Sequence, residues 1–231
     1  MQQIPRLAIR SIPDDNSCLF KAICHAIDRS NTPSNLRRLI SQTIQSSQEY
    51  TEAILGMPKQ QYIQWIMQPN SWGGAIELAI LAKHYRVCIA CVDVLSAGKS
   101  RLVFGESDGY EQIIYLLYSG IHYDCLVGVF DMDDEQLDTG SRNTQESASE
   151  SGQRLFTNQP EDFDLSVFMV EQAKLLDQQA IAIAKECHAR HLYTDTQKFS
   201  LKCCDCGSKL IGQSEASEHA AKTGHSSFEE V

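Results

Sequence analysis

Asp14-Asp15-Asn16-Ser17-Cys18-Leu19-Phe20-Lys21-Ala22-Ile23-Cys24 opens as a run of helix-capping residues and turns into apolar residues at helical spacing. Phe20, Ile23, Cys24 and Ile27 fall on one face, so a helix is predicted from about Cys18. That places a thiol at a helix N-terminus, where unpaired N–H groups and the positive dipole end favour a thiolate and can bind an oxyanion. Taken alone, the stretch fits a buried structural cysteine better than a reactive one.

Outward from it the pattern alternates. Residues up to Ile12-Pro13 read as extended, and a second helix is predicted over 34–45 with Leu36, Leu39, Ile40 and Thr43 on one side. Pro58 and Pro69 bound a helical stretch with Tyr62, Trp65 and Ile66, and Asn70-Ser71 could cap the helix containing Ile76, Leu78 and Ile80. Strands are predicted over 87–94, 101–104, 112–118 and 121–129, the last two joined by Ser119-Gly120. From 131 to 153 the composition shifts to Asp, Glu, Ser, Thr, Gln and Gly, the signature of a flexible insertion. A long helix over 166–191 then puts Leu176, Ala180, Ile183, Ala184 and Cys187 on one face, which should dock on the main core. The expectation is an α/β fold, a central sheet flanked by helices.

Composition narrows the function. The 231 residues carry a formal net charge of −10, which argues against a general grip on nucleic acid or anionic lipid. No apolar run approaches a membrane span, and the first residues lack a secretory pattern, so a cytosolic location with nuclear access is expected. The nine cysteines then read as buried thiols, metal ligands and a reactive thiol rather than as a disulfide framework.

Cys203-x2-Cys206, twelve residues, then His219-x5-His225 has the spacing of a Cys2His2 zinc finger. Two thiolates from a hairpin knuckle and two imidazoles from a helix would close a tetrahedral shell around a structural Zn2+, with Phe199 and Leu210 as its small core. Cys204 is surplus. Lys202, Lys209 and Lys222 are outnumbered by Asp205, Glu215, Glu218, Glu229 and Glu230, so a protein-contact or structural finger is favoured over a DNA reader.

His122-Tyr123-Asp124 changes the balance for Cys18. On a strand, His122 and Asp124 share a face, an imidazole with a carboxylate beside it, which is the base-and-orienter half of a nucleophilic triad. Ile121, Tyr123, Cys125, Val127 and Val129 take the opposite, apolar face.

At this point the sequence resembles the OTU (ovarian-tumour) deubiquitinases. Asp15-Asn16-Ser17-Cys18-Leu19-Phe20, Trp72-Gly73-Gly74-Ala75-Ile76-Glu77 and Gly120-Ile121-His122-Tyr123-Asp124 look like that family's signatures. The finger after a long helix is similar to the branch of ubiquitin thioesterases that serve the valosin-containing AAA ATPase in ER-associated degradation.

The resemblance implies a papain-like OTU catalytic domain over 4–195 and a C2H2 finger over 199–231. It implies Cys18 as nucleophile, His122 as general base and then acid, Asp15 as the motif aspartate of the cysteine loop, and Asp124 as the residue orienting the histidine. Both aspartates are carried, since the motifs do not rank them. It further implies Asn16, Ser17, Trp72, Gly73, Gly74 and Ile121 as contacts for the ubiquitin tail, although a helix start with Trp72 packed in the core fits Trp72-Gly73-Gly74 equally well. Ubiquitin chains would be the substrate, no metal would take part in catalysis, and residues 174–179 of the late helix would offer a second ubiquitin contact.

Asn16-Ser17 departs from the Gly-Asn spacing of many OTU members but agrees with the finger-bearing branch. The ATPase is implied as a partner, although the sequence starts at the catalytic domain, without the ubiquitin-like domain that docks the ATPase in that branch. Two other readings stand beside this one: a catalytically silent ubiquitin-binding adaptor and a zinc-finger nucleic-acid-binding protein.

Overall fold

A computed structural model of the chain describes residues 4–129, 155–195, 200–225 and 228–230. The insertion expected over 131–153 and the finger's Phe199 lie outside the described residues. The main body is a mixed sheet built from β1 (Arg6–Arg10), β2 (Cys88–Asp93), β3 (Arg101–Phe104), β4 (Gln112–Tyr118), β5 (Tyr123–Val129) and the short β6 (Phe168–Met169). Its strand order is β1-β5-β4-β2-β3, with β6 pairing onto β4. β2 and β4 run parallel, and the other pairings are antiparallel.

Alternation along the strands sends neighbouring residues into two separate cores. Ala8, Ile89, Ile114, Leu116, Cys125 and Val127 face a layer containing α1 (Cys18–Ile27), α2 (Pro33–Ser46), α4 (Lys59–Ile66) and α5 (Ala75–Tyr85). Leu7, Ile9, Cys88, Ala90, Tyr115, Leu117 and Leu126 face α6 (Ala173–Ala189). The four-residue α3 (Glu52–Leu55) precedes α4. Within α1, Phe20 and Ile23 are fully buried, each contributing about 2 kcal/mol of apolar transfer that pins the helix beneath the sheet. Leu176, Ala180, Ile183, Ala184 and Cys187 form the buried stripe of α6.

Three local expectations are corrected. The helix expected over 166–191 is α6 alone. The residues before it pair with Gln112 and Ile113 as β6 and then make a 3-10 turn at Val170–Gln172. Asn70-Ser71 does not cap α5. The helix starts after Gly74, whose N–H donates to the Glu77 carboxylate at 2.8 Å, while the Ser71 hydroxyl donates to the Trp65 carbonyl. The strand expected from 121 starts at Tyr123, which leaves Ile121 and His122 in the connection from β4. There the Ser119 N–H donates to the His122 carbonyl at 3.0 Å.

The finger is a three-stranded sheet, β8 (Lys209–Ile211), β7 (Ser200–Cys203) and β9 (Phe228–Glu230), with α7 (Gly212–Thr223) following β8. No helix among the described residues is long and apolar enough to cross a membrane.

Candidate active site

The cysteine loop is shaped by its own short polar side chains. The Ser17 N–H donates to the Asp15 carboxylate at 2.9 Å, and the Cys18 N–H donates to the Asp15 carbonyl at 3.1 Å, so the chain turns tightly into α1. Lys21, one turn into the helix, pairs with the same Asp15 carboxylate and holds it below its usual range. Cys18 sits at the first position of α1, is 8% exposed and lines a groove.

The histidine comes from the connection between β4 and β5. His122 Nε2 lies 3.1 Å from Asp124 Oδ1, and the same carboxylate oxygen accepts the Ile12 N–H at 2.7 Å. His122 Nδ1 is buried and makes no hydrogen bond among the described residues, the exposed Asp14 carboxylate being 3.5 Å away. The imidazole is pushed up to about 10, first by its bond to Asp124 and second by the Cys18 side chain, against the opposing effect of burial. Cys18, His122 and Asp124 therefore converge, with Nδ1 as the ring nitrogen left for the sulfur. Asp15 makes no hydrogen bond to His122, which acts on it only through charge; its carboxylate is bonded to the Ser17 N–H and paired with Lys21.

A groove of about 110 Å³ runs up to the sulfur, lined by Asn16, Cys18, Leu19, Trp72, Gly73, Gly74, Tyr118, Ile121 and Tyr123. Trp72 is 54% exposed, which overturns the alternative of a core tryptophan, and its indole N–H donates to Asn16 Oδ1 at 2.6 Å across the groove. Gly73 packs tightly, since a Cβ there would meet Phe20 Cζ at 3.0 Å and Leu19 at 3.2 Å and would have to push those side chains aside. Ser17 is absent from the lining because its hydroxyl turns inward to Arg37 and the Pro69 carbonyl.

Leu19, Tyr118 and Tyr123 were not expected as groove residues. The two tyrosine rings pack with centroids 4.6 Å apart and planes tilted by 32°, and only their common position at the mouth of β4 and β5 exposes the role. The histidine loop is braced from outside as well: the Thr194 N–H donates to the Ser119 carbonyl at 2.8 Å, with the Thr194 carbonyl pressed against Gly120.

In the finger, the ligand atoms of Cys203, Cys206, His219 and His225 all lie within 4.8 Å of one another. Cys203 Sγ is 3.6 Å from His225 Nδ1 and Cys206 Sγ is 3.4 Å from His219 Nε2. Tetrahedral Zn–S and Zn–N bonds place such atoms ~3.6 Å apart, so the donor set fits zinc. Hydrogen bonds from Ser208 bring the Cys206 thiol down to about 6, toward the thiolate a metal binds. His219 lies on α7 as expected. His225 does not; it follows Gly224, whose left-handed backbone ends the helix.

Comparison with known proteins gives a consistent result. The profile of OTU-like cysteine proteases matches residues 13–124, and that of the C-terminal C2H2-type zinc finger of ubiquitin thioesterase OTU1 matches 197–231. Ubiquitin thioesterase OTU1 of Dictyostelium discoideum is 39% identical over 96% of this chain, which spans 60% of that protein's length. An Arabidopsis thaliana protein named ovarian tumor domain-containing deubiquitinating enzyme 2 is 35% identical, with 96% of each chain covered. A solved ovarian tumor (OTU) domain in complex with ubiquitin superposes with a TM-score of 0.63 at 25% identity, covering 83% of this chain and 96% of that one.

Proposed function

Because the chain belongs to the OTU-like cysteine protease family and carries the C2H2 zinc finger of its ubiquitin thioesterase branch, we propose that it removes ubiquitin by thiol hydrolysis. The observation that carries this reading is the convergence of Cys18, His122 and Asp124 at the end of a narrow groove.

In the proposed cycle the Cys18 sulfur attacks the carbonyl carbon that joins a ubiquitin C-terminus to a lysine amine. His122, held protonated by Asp124, gives its proton to the departing nitrogen. A water deprotonated by the neutral imidazole then adds to the thioester. The C–S bond breaks, the sulfur leaves as thiolate, and ubiquitin departs with a free carboxylate. The expected oxyanion donors are modified by the geometry. Ser17 and Cys18 N–H groups are both engaged by Asp15, so the oxyanion must draw the Cys18 N–H away from the Asp15 carbonyl as substrate seats.

The groove suits an extended tail with little side-chain bulk, since its volume is only about 110 Å³ and Trp72, Tyr118 and Tyr123 line it with aromatic rings. The finger's zinc is assigned a structural part: its four ligands would supply the folding energy that a sheet this small cannot draw from apolar burial. A second ubiquitin contact on α6 is assigned to Lys174, Leu175 and Gln178, because Asp177 and Gln179 in that stretch are spent on Arg101, Tyr115, Leu7 and Pro5. Work beside the valosin-containing AAA ATPase in ER-associated degradation, in the cytosol with nuclear access, extends the proposal on family resemblance.

A ubiquitin probe bearing a C-terminal electrophile tests the activity. Labelling of the parent and none of Cys18→Ala supports hydrolysis, and a panel of di-ubiquitins then gives the linkage preference. Tight ubiquitin binding by a parent that the probe does not label would make the chain an adaptor instead.

A further inference from the structure

Arg37 lies on the buried face of α2 with Leu36, Ile40, Ser41 and Ile44, and only 2% of it is exposed. Its Nη1 donates to the Ile66 carbonyl at 2.9 Å. Its Nη2 reaches the Asn16 carbonyl at 3.2 Å, the Ser17 hydroxyl at 3.1 Å and the Pro69 carbonyl at 3.2 Å. The guanidinium carbon sits 4.1 Å over the Phe20 ring. Two of the four acceptors belong to the cysteine loop. The other two, on Ile66 at the end of α4 and on Pro69 just beyond it, belong to the segment that leads into Trp72-Gly73-Gly74, the opposite wall of the groove.

Glu77 lies behind that wall and is also 2% exposed. It accepts the Tyr62 hydroxyl at 2.6 Å and the Gly74 N–H at 2.8 Å, and its charge favours the Arg37 cation. A well-packed apolar side chain could fill the place of a buried cation without its desolvation cost. What an apolar side chain could not do is offer a planar fork of donors to carbonyls from two separate segments.

We infer that Arg37 is a positioning residue that sets the separation between the Cys18 loop and the Trp72-Gly73-Gly74 wall, so that nucleophile and tail channel are held as one unit. The inference rests on the reading of Cys18 as nucleophile, and it adds to that reading a residue outside the groove on which the groove's geometry depends.

The test uses the full chain as parent, Cys18→Ala, Arg37→Lys and the milder Ser17→Ala. For each, hydrogen–deuterium exchange is followed in peptides covering 14–18 and 67–74. Thermal melting, and kcat and KM on a fluorogenic ubiquitin C-terminal amide, are measured well below the melting temperature. Lysine keeps the charge but can serve only one or two of the acceptors. Exchange should therefore rise in both peptides together in Arg37→Lys, while β4 and β5 keep their protection. The value of kcat/KM should fall about 100-fold, the loss that follows a displacement of roughly 1 Å at the reacting centre. Alkylation of Cys18 by iodoacetamide should keep its pH dependence, because His122 and Asp124 are untouched. Ser17→Ala should shift the same readouts in the same direction, about threefold in kcat/KM.

Exchange that rises in one segment only, or uniformly along with a lowered melting temperature, would overturn the inference. So would a folded Arg37→Lys protein with kcat/KM within twofold of the parent. If Arg37→Lys does not fold, Ser17→Ala decides by the same paired peptides. A parent inactive on the ubiquitin amide counts against hydrolysis, and the paired exchange then judges Arg37 by itself.

Discussion

The groove and the finger use the same two kinds of side chain to different ends. In the finger, two sulfurs and two imidazole nitrogens close on a common point, the composition and spacing of a tetrahedral metal shell. In the groove, one sulfur meets one imidazole, and what completes the set is a carboxylate, Asp124, itself anchored by the Ile12 N–H. Replacing further soft ligands with a single carboxylate changes the chemistry. In the proposed cycle a histidine backed by Asp124 is held protonated beside the sulfur and can pass that proton on, whereas four ligands sharing a cation would keep one another fixed. The contrast teaches that cysteine and histidine content does not separate a catalytic site from a structural one. The third partner does.

The sharpest way to break the contrast is Cys18→Ala. Turnover of a ubiquitin amide should fall by ~10⁴-fold or more, while the melting temperature drops only slightly, since a single sulfur is trimmed from the groove end of the core. Residual turnover near the parent's would show that the groove's sulfur is as inert as a buried core thiol. Asp124→Asn comes next, with kcat/KM reduced about 100-fold. Because Asp124 is the largest cause of the raised His122 pKa, the alkaline limb of the pH–rate profile should also move to lower pH. An unmoved limb would remove Asp124 from its orienting role. The parent's own stability follows from the same shift. The His122 imidazolium contributes fully below its ordinary pKa near 6.5, and that contribution is lost as pH rises through about 10.

Smaller effects sharpen the comparison further. In Gly120→Ala a Cβ would stand 2.1 Å from the Thr194 carbonyl on backbone at φ +104°, so urea unfolding should show a loss of about 1–3 kcal/mol. The rate should fall with it if the segment after α6 that holds Thr194 braces the histidine loop. Chelation of zinc is expected to have the least effect on catalysis. The finger's circular dichroism and exchange protection should collapse while kcat/KM changes less than threefold, a factor that corresponds to under ~1 kcal/mol. A large loss of turnover on chelation would mean that the two regions are energetically one.

Legibility in the sequence differed between these regions for a physical reason. Helix α1 could be placed at Cys18 from local chemistry, since Asp15 and Ser17 form a turn with their own neighbours. The stripe of α6 was visible as helical spacing, and the finger's four ligands as a count of residues. Misplacements came where a distant partner overrides local preference. Residues 166–172 look helical, but Phe168 and Met169 are drawn into β6 by the edge of β4 at Gln112 and Ile113, and a 3-10 turn at Val170–Gln172 follows. His122 continues the period of β5 but is released from the strand by the turn that Ser119 closes. Arg37 carried a readable signal, a cation at helical spacing among Leu36, Ile40 and Ile44, but nothing local names its acceptors.

The chain by itself determined which residues could do chemistry: a thiol at a helix start, a histidine two residues before an aspartate, and a ligand set at finger spacing. These are matters of side-chain type and short-range geometry, fixed within a few bonds or one helical turn. Only the tertiary structure decided that Asp124 rather than Asp15 is hydrogen-bonded to His122, that Ser17 faces inward to Arg37, and that Trp72 lines a groove instead of filling a core. Each of those depends on which carbonyls and carboxylates distant segments bring within about 3 Å, the range over which a hydrogen bond selects its partner.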